Sequence, residues 1–178
     1  MLTRMTPEEA SPAEVEPEPF EEFYRREYRS VVAVLVSLIG DMTKAEDFAQ
    51  DAFAAAHRRW PRIVRYDKPA AWVRRVALNR WRSAWRRARR EVRLGALLVD
   101  SENRDREVLS EETERVWSAV RSLPRRQAQC VALRYLDELT TAEVAEVLGC
   151  AEATVRVHLH RAHDALATRL GSERQGPT

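Results

Sequence analysis

Wherever this chain carries a hydrophobic pattern, the apolar positions recur at steps of three and four, so an all-α protein is predicted. The first such segment runs from Phe20 to Ile39. Phe20, Phe23, Tyr24, Tyr28, Val31, Val32, Leu35 and Ile39 follow helical spacing, and Gly40 ends the helix. Thr43 to Glu46 reads as a capping box, with Thr43 at the N-cap and Glu46 three residues on. The helix it opens is expected to run to about Trp60, where Pro61 stops it. Ala45, Phe48, Ala49, Ala52 and Ala56 make its buried face, which leaves Asp47, Gln50, Asp51 and Ala54 outward. After a loop from Arg62 to Pro69 comes a third pattern, Trp72 to Arg90. Val73, Ala77, Trp81, Ala84 and Ala88 fall on one side, and Arg75, Arg82, Arg86, Arg89 and Arg93 on the other.

Residues 91–111 carry no periodic apolar face beyond Leu94, Leu97 and Leu98, so they read as a linker. Periodicity then resumes. Glu112 to Ser122 is predicted helical with Val116, Trp117 and Val120 inward. Pro124 suits the first turn of a helix reaching about Leu136, with Ala128, Val131, Ala132 and Tyr135 inward. Thr140 to Glu143 is a second capping box, opening a short helix with Val144, Ala145 and Leu148. Gly149 supplies a tight turn, and Val155, Leu159, Ala162 and Leu166 form the seam of the next helix. Two helices joined this way, with small Ala145 at the crossing, make a helix-turn-helix pattern. An αα-hairpin with no role in DNA binding fits the same spacing. The expected organisation is two small helical domains joined by a flexible linker, the second holding the helix-turn-helix. In residues, that is an acidic tail (1–18), a first domain (19–92), a linker (93–111), a second domain (112–170) and a frayed tail (171–178).

Charge changes this picture. The net charge of +2 hides a segregation. Residues 58–93 hold fourteen Arg and Lys against Asp67 and Glu91, while residues 1–57 sum to −7 and residues 94–120 to −4. One segment is built to meet polyanions and its neighbours are not. Arginine supplies nearly all the cations, which suits bidentate phosphate and base-edge contacts. A solvated basic face with no partner remains the plainer alternative.

The remaining chemistry is sparse. Cys130 and Cys150 are too few and too far apart in sequence for a disulfide framework or zinc knuckle, and each sits among apolar neighbours. His158, His160 and His163 lie close together, but only His160 and His163 share a face, and no metal site or cofactor is expected. There is no Gly-rich phosphate loop, nucleophile elbow or HExxH motif, so an enzyme is not expected. No stretch is long and apolar enough for a membrane span, and no signal peptide is visible, so a cytoplasmic protein is expected.

Four segments carry a resemblance. Lys44 to Phe53 (KAEDFAQDAF) is similar to the AEDLxQExF signature of bacterial sigma-70-type factors of the extracytoplasmic-function (ECF) group. Ala71 to Asn79 (AWVRRVALN) resembles that group's WLxRIAxN stretch. Leu139 to Gly149 and Thr154 to Ala162 resemble its LSYxEIAxILG and GTVKSRLxRA block. The resemblance implies a factor that binds core RNA polymerase, directs it to promoters through −10 and −35 elements and assists strand opening. It places Asp47, Gln50 and Asp51 on the helix that docks on the polymerase clamp coiled coil, with the flap as the second polymerase contact. It makes the loop with Tyr66, Asp67 and Lys68 a pocket for a flipped −10 base. Trp72, Arg75, Asn79, Arg82 and Arg86 fall on the helix that meets the −10 duplex and the opening strand. Ala153, Arg156, Val157, His160 and Arg161 are then the −35 contact positions. Val157, His158 and Ala153 depart from the usual polar residue, basic residue and glycine. Whether an anti-sigma partner exists is left open.

Overall fold

The computed structural model describes residues 17–93 and 110–173, and its regular elements there are helices. In chain order they are α1 (Phe20–Ile39), α2 (Met42–His57), α3 (Trp60–Ile63), α4 (Pro69–Arg93), α5 (Glu111–Arg121), α6 (Arg125–Tyr135), α7 (Thr141–Leu148) and α8 (Glu152–Glu173). The first four form one helical half and the last four another.

In the first half α1 and α2 pack as an antiparallel pair joined by a very short turn. Gly40 takes φ 75° and its N–H donates to the Val36 carbonyl, closing α1 in the left-handed conformation that glycine tolerates best. The N-cap of α2 is Asp41 and not Thr43. The Asp41 carboxylate accepts from the Lys44 N–H at 3.0 Å and pairs with its ammonium at 2.9 Å. Burial pushes the Asp41 carboxyl up, but these hydrogen bonds outweigh it and hold the group below the ordinary aspartate value. The predicted capping box therefore gives way to a stronger acceptor two residues earlier.

Ala45, Ala49, Ala52 and Ala56 are fully buried, which lets the α2 backbone come close to its neighbours. Phe48 is only half-buried, while Phe53, absent from the predicted face, is one of the largest fully buried side chains. It joins an aromatic cluster in which Tyr24 stacks on Tyr28 with centroids 4.8 Å apart and Phe23 lies 4.7 Å from Trp60. Buried side chains of this size contribute about 1.5–3 kcal/mol each. Pro61 does not end α2. That helix stops at His57, and Pro61 sits in the first turn of α3, where its missing N–H costs nothing. The Trp60 indole donates to the Glu18 carbonyl at 2.9 Å, and Arg26 pairs with the Glu18 carboxylate, so the predicted tail ends before residue 18. Residues 1–16 lie outside the described residues.

In the second half, Ser110 caps α5 by accepting from the Thr113 N–H at 3.3 Å. Val116 and Tyr135, predicted inward, are exposed. The wetter side of α6 is the one that carries Tyr135, whose hydroxyl meets His163 Nε2 at 2.7 Å. The buried side holds Ala128, Gln129, Cys130, Val131, Ala132 and Leu133. The capping box at Thr140 and Glu143 forms as predicted, both hydrogen bonds being present. Gly149 takes φ 64°, and Val155, Leu159 and Ala162 form the buried seam of α8. Gly171 does not break α8, which continues to Glu173. Of the predicted linker, residues 94–109 lie outside the described residues, as do residues 174–178.

The two halves pack against each other, α1 against α5 and α6, and α4 against α7. Two backbone positions set the turns that allow this. Gly40 faces Arg121 across the junction, and Glu138, between α6 and α7, takes φ 53° although it carries a Cβ. Gly40→Ala is expected to lower unfolding stability by about 1–2 kcal/mol, since a Cβ there would be strained and 3.3 Å from Arg121 Nε. Glu138→Gly is expected to raise it by about 0.5 kcal/mol. Urea unfolding midpoints should move in opposite directions, and shifts of the same sign would show that backbone strain does not govern these turns.

Candidate nucleic-acid interface

The basic segment becomes α4, and its arginines do not share one environment. Arg74 is 6% exposed, packed in register with buried Ala71 and Leu78. Its guanidinium bridges two carboxylates. Nη1 donates to Glu27 Oε2 at 2.9 Å, while Nε and Nη2 fork onto Asp137, the latter at 2.8 Å. Ser30 also donates to Asp137. Burial lowers the Arg74 pKa, but the hydrogen bonds and charge of Asp137 and Glu27 more than restore it and keep the group cationic. Glu27 and Ser30 belong to α1, and Asp137 to the turn before α7. A buried arginine thus joins the two halves, a role that sequence reasoning did not assign. The signal was present, because Ala71, Arg74 and Leu78 follow helical steps of three and four on one side of α4.

Arg75 faces the second half as well. Its Nε donates to the Val147 carbonyl at 3.2 Å and its Nη2 to the Glu146 carbonyl. These carbonyls lie in the last turn of α7, where a helix carries partial negative charge, and that of Glu146 also accepts from the Gly149 N–H at 3.3 Å. Arg126 of α6 reaches the next one, donating to the Leu148 carbonyl at 3.3 Å. Further along α4, Asn79 and Arg82 share a cleft of about 280 Å³ with Arg125, Arg126 and Gln129. Burial, and then the charges of Arg126, Arg82 and Arg86, hold the Arg125 guanidinium below the ordinary arginine value. Arg82 Nε and Gln129 Oε1 are buried without a hydrogen-bond partner among the described residues. Arg86 is exposed.

Tyr66, Asp67 and Lys68 form the exposed loop before α4, and with Trp72 and Arg75 they line a cleft of about 470 Å³. Lys68 Nζ lies 3.4 Å from Glu146 and 3.7 Å from Glu143, both on α7. On the outward face of α2, Asp47, Gln50 and Asp51 are all exposed. Asp51 pairs with Arg80 of α4 at 2.8 Å. Gln50 and Ala54 border an apolar groove of about 630 Å³ with Phe20, Tyr24, Phe53 and His57.

The helix-turn-helix brings its own candidates together. Ala153, Arg156, Val157, His160 and Arg161 are all exposed on the first half of α8, opposite the seam of Val155, Leu159 and Ala162. Arg156 Nη1 donates to Glu152 Oε1 at 2.7 Å, and the same oxygen accepts from the Thr141 hydroxyl at 2.7 Å. Glu152 therefore ties α7 to α8 and aims Arg156 outward, a positioning role the sequence pattern did not reveal. His160 lies 3.6 Å from Asp164. Burial pushes the Cys130 thiol up to about 12, with Cys150 adding to the effect, which leaves it an inert core group. Among the described residues no group of three His, Cys, Asp or Glu side chains is placed to hold a metal ion, and no helix is long and apolar enough to cross a membrane.

Comparison with known proteins falls on both halves. Residues 23–91 match the Sigma-70 region 2 family and residues 113–166 match Sigma-70, region 4. The RNA polymerase sigma-E factor of Streptomyces antibioticus is 29% identical over 143 residues, spanning 80% of this chain and 79% of that one. The ECF RNA polymerase sigma factor SigW of Bacillus subtilis is 26% identical, over 75% of this chain and 79% of its own. The fold is similar to that of the sigma factor RpoE, solved with the anti-sigma factor NepR from Bartonella quintana. That likeness has a TM-score of 0.73 at 22% identity and covers 85% of this chain and 96% of RpoE. With two consecutive region matches in the family's order and relatives aligned across both helical halves, the chain belongs to the sigma-70 family, in its ECF group, and is a factor for promoter-specific initiation of transcription by RNA polymerase.

Proposed function

We propose that the two halves divide the work of initiation, the first holding polymerase and the −10 element and the second reading the −35 element. The observation that carries this reading is the grouping of Ala153, Arg156, Val157, His160 and Arg161 on one exposed face directly after a capped helix and a left-handed glycine turn. That is the geometry with which a recognition helix enters the major groove. Arg156 and Arg161 supply guanine-edge or phosphate contacts, and a good bidentate base contact is worth about 1–3 kcal/mol. Held by Glu152, Arg156 loses less side-chain freedom on binding.

In the first half, the exposed acidic face of Asp47, Gln50 and Asp51 docks on the polymerase clamp coiled coil, and the second half meets the flap. The Tyr66 to Lys68 loop with Trp72 accepts a flipped −10 base, while Arg75, Asn79, Arg82 and Arg86 follow the adjoining backbone. Flipping costs a few kcal/mol, which phosphate contacts and the pocket's aromatic walls offset. The role is binding and positioning, not catalysis, and it belongs in the cytoplasm with polymerase and DNA. An anti-sigma factor is a further partner in this reading, supported by the likeness to RpoE, which was solved with one.

Arg156→Ala and Arg161→Ala are each expected to reduce initiation at −35-dependent promoters on the order of tenfold, while co-purification with core polymerase stays unchanged. Reconstituted transcription over genomic promoters checks this, and normal initiation by both variants would refute the −35 assignment. Gln50→Ala and Asp51→Ala are expected to weaken core polymerase association severalfold. Unchanged co-purification of both would move the clamp contact elsewhere.

A further inference from the structure

We propose that the arginine cleft lined by α4, α6 and the end of α7 binds a small polyvalent phosphate, either free pyrophosphate or the diphosphate end of a nucleotide. This goes beyond the promoter reading and does not depend on it.

The cleft gathers cations without an anion to meet them. Arg75 and Arg82 come from α4, and Arg125 and Arg126 from the first turn of α6. Among the described residues no aspartate or glutamate lines it. The charges that act on Arg125 are those of Arg126, Arg82 and Arg86, all positive. Arginine cannot shed its proton to relieve such crowding. No side chain caps the start of α6, so its first turn adds partial positive charge beside the same guanidiniums. Like charges held this way lose stability unless an anion joins them.

The hydrogen bonds already made leave capacity for one. The end of α7 takes Nε and Nη2 of Arg75 and Nη1 of Arg126 through its carbonyls. Arg82 Nε is buried without an acceptor among the described residues, and Gln129 Oε1 is buried without a donor. Gln129 is 3% exposed and lines the cleft with Arg82. Buried polar atoms are costly to leave unpaired, so the two together call for a ligand that both accepts and donates.

Phosphate chemistry meets that need. Pyrophosphate keeps a proton near neutral pH. Its oxygens accept from guanidinium N–H groups, and its O–H donates to Gln129. The carboxamide can equally turn over and donate its NH2 to a phosphate oxygen. Tetrahedral phosphates present acceptors in several directions, which suits arginines arriving from two helices. A planar carboxylate is matched by a single guanidinium fork. Size narrows the choice further. The cleft holds about 280 Å³, just under the roughly 300–1,000 Å³ of small-molecule pockets. That is room for two linked phosphate groups, not for a nucleic-acid strand passing through.

The test titrates the full chain with inorganic pyrophosphate, free of divalent cations, by isothermal titration calorimetry. Circular dichroism follows helix content and the melting midpoint. Sodium chloride and sodium sulfate at matched ionic strength separate a bound ligand from general screening of the arginines. Arg82→Gln and Arg125→Gln each remove one guanidinium from the cleft. Arg87→Gln removes the same charge from a different cleft, where Arg87 lies with Asp51 and Arg80. The expected result is saturable binding of pyrophosphate, with a rise in melting midpoint that chloride does not give and sulfate gives less. Arg82→Gln and Arg125→Gln are expected to weaken binding on the order of tenfold, and Arg87→Gln by less than about twofold. Without ligand, Arg125→Gln is expected to melt no lower than wild type, because it relieves like-charge crowding at a helix start. A residue serving only to pack the fold would not behave so. ADP is the second titrant. Binding as tight as that of pyrophosphate assigns the site to the diphosphate end of a nucleotide, and weaker binding assigns it to the free anion. The site is overturned if pyrophosphate gives no saturable heat, if chloride or sulfate matches its effect, or if Arg87→Gln loses as much affinity as the cleft variants. Should one cleft variant lose helix content, the other decides.

Discussion

A guanidinium buried between two carboxylates is the constraint on which the described arrangement depends. Arg74 lies under the junction with the Asp137 side chain 3% exposed, and Glu27 completes the bridge. Such a pair adds little net stability, because desolvating the charges cancels most of their attraction. Its directionality is what matters. An apolar contact tolerates sliding, whereas a guanidinium fork onto Asp137 with a third bond to Glu27 accepts one geometry. The turn carrying Asp137 is fixed against α1 and α4, and α7 emerges from that turn toward the cleft ahead of α4. Arg121, donating to the Ser37 carbonyl at 3.4 Å, adds a second directional contact at the other end of the junction.

Around that fixed point the packing is uneven by design of residue size. The α1–α2 contact uses a run of alanines on one helix against Phe23, Val31 and Leu35 on the other, and closes with aromatic rings at the Trp60 end. Here the apolar burial is dense and continuous. At the junction between the halves, buried apolar groups such as Val147, Leu148 and Leu78 are interleaved with arginines and backbone carbonyls. The first kind of surface holds a domain together. The second is the more polar kind of surface found between domains of one chain.

Much of this was legible in the sequence. The bounds of α1, the second capping box, the left-handed glycines and the α8 seam all follow from local rules, since each depends on neighbours within a turn or two. The candidate face on α8 was legible for the same reason. Less local features were not. Asp41 displaced Thr43 as a cap because the chain turns so tightly at Gly40 that an earlier carboxylate reaches Lys44 first. Tyr135 fits an apolar period, yet its hydroxyl finds His163 at the surface, a partner 28 residues away. Sequence spacing puts Arg75, Arg82, Arg86, Arg89 and Arg93 of α4 on one stripe and leaves Arg74 outside it. In the fold Arg74, Arg75 and Arg82 divide among a buried bridge, a helix end and a shared cleft, and that division depends on segments far along the chain. Glu152 as the aiming residue for Arg156 likewise requires knowing that Thr141 lies beside it.

The double partnership of Arg74 also bears on the order in which the chain is made. Domains tend to fold as they leave the ribosome, N-terminal part first. Arg74 is synthesised long before Asp137 and lies among buried residues of the first half, the last of which is Leu78. A buried guanidinium waiting for a partner 63 residues downstream would be a hazard at that stage. Glu27, already in place on α1, gives it one from the outset. Asp137 then arrives as a second ligand to a charge that Glu27 already meets, so the pairing of Arg74 does not wait on the second half.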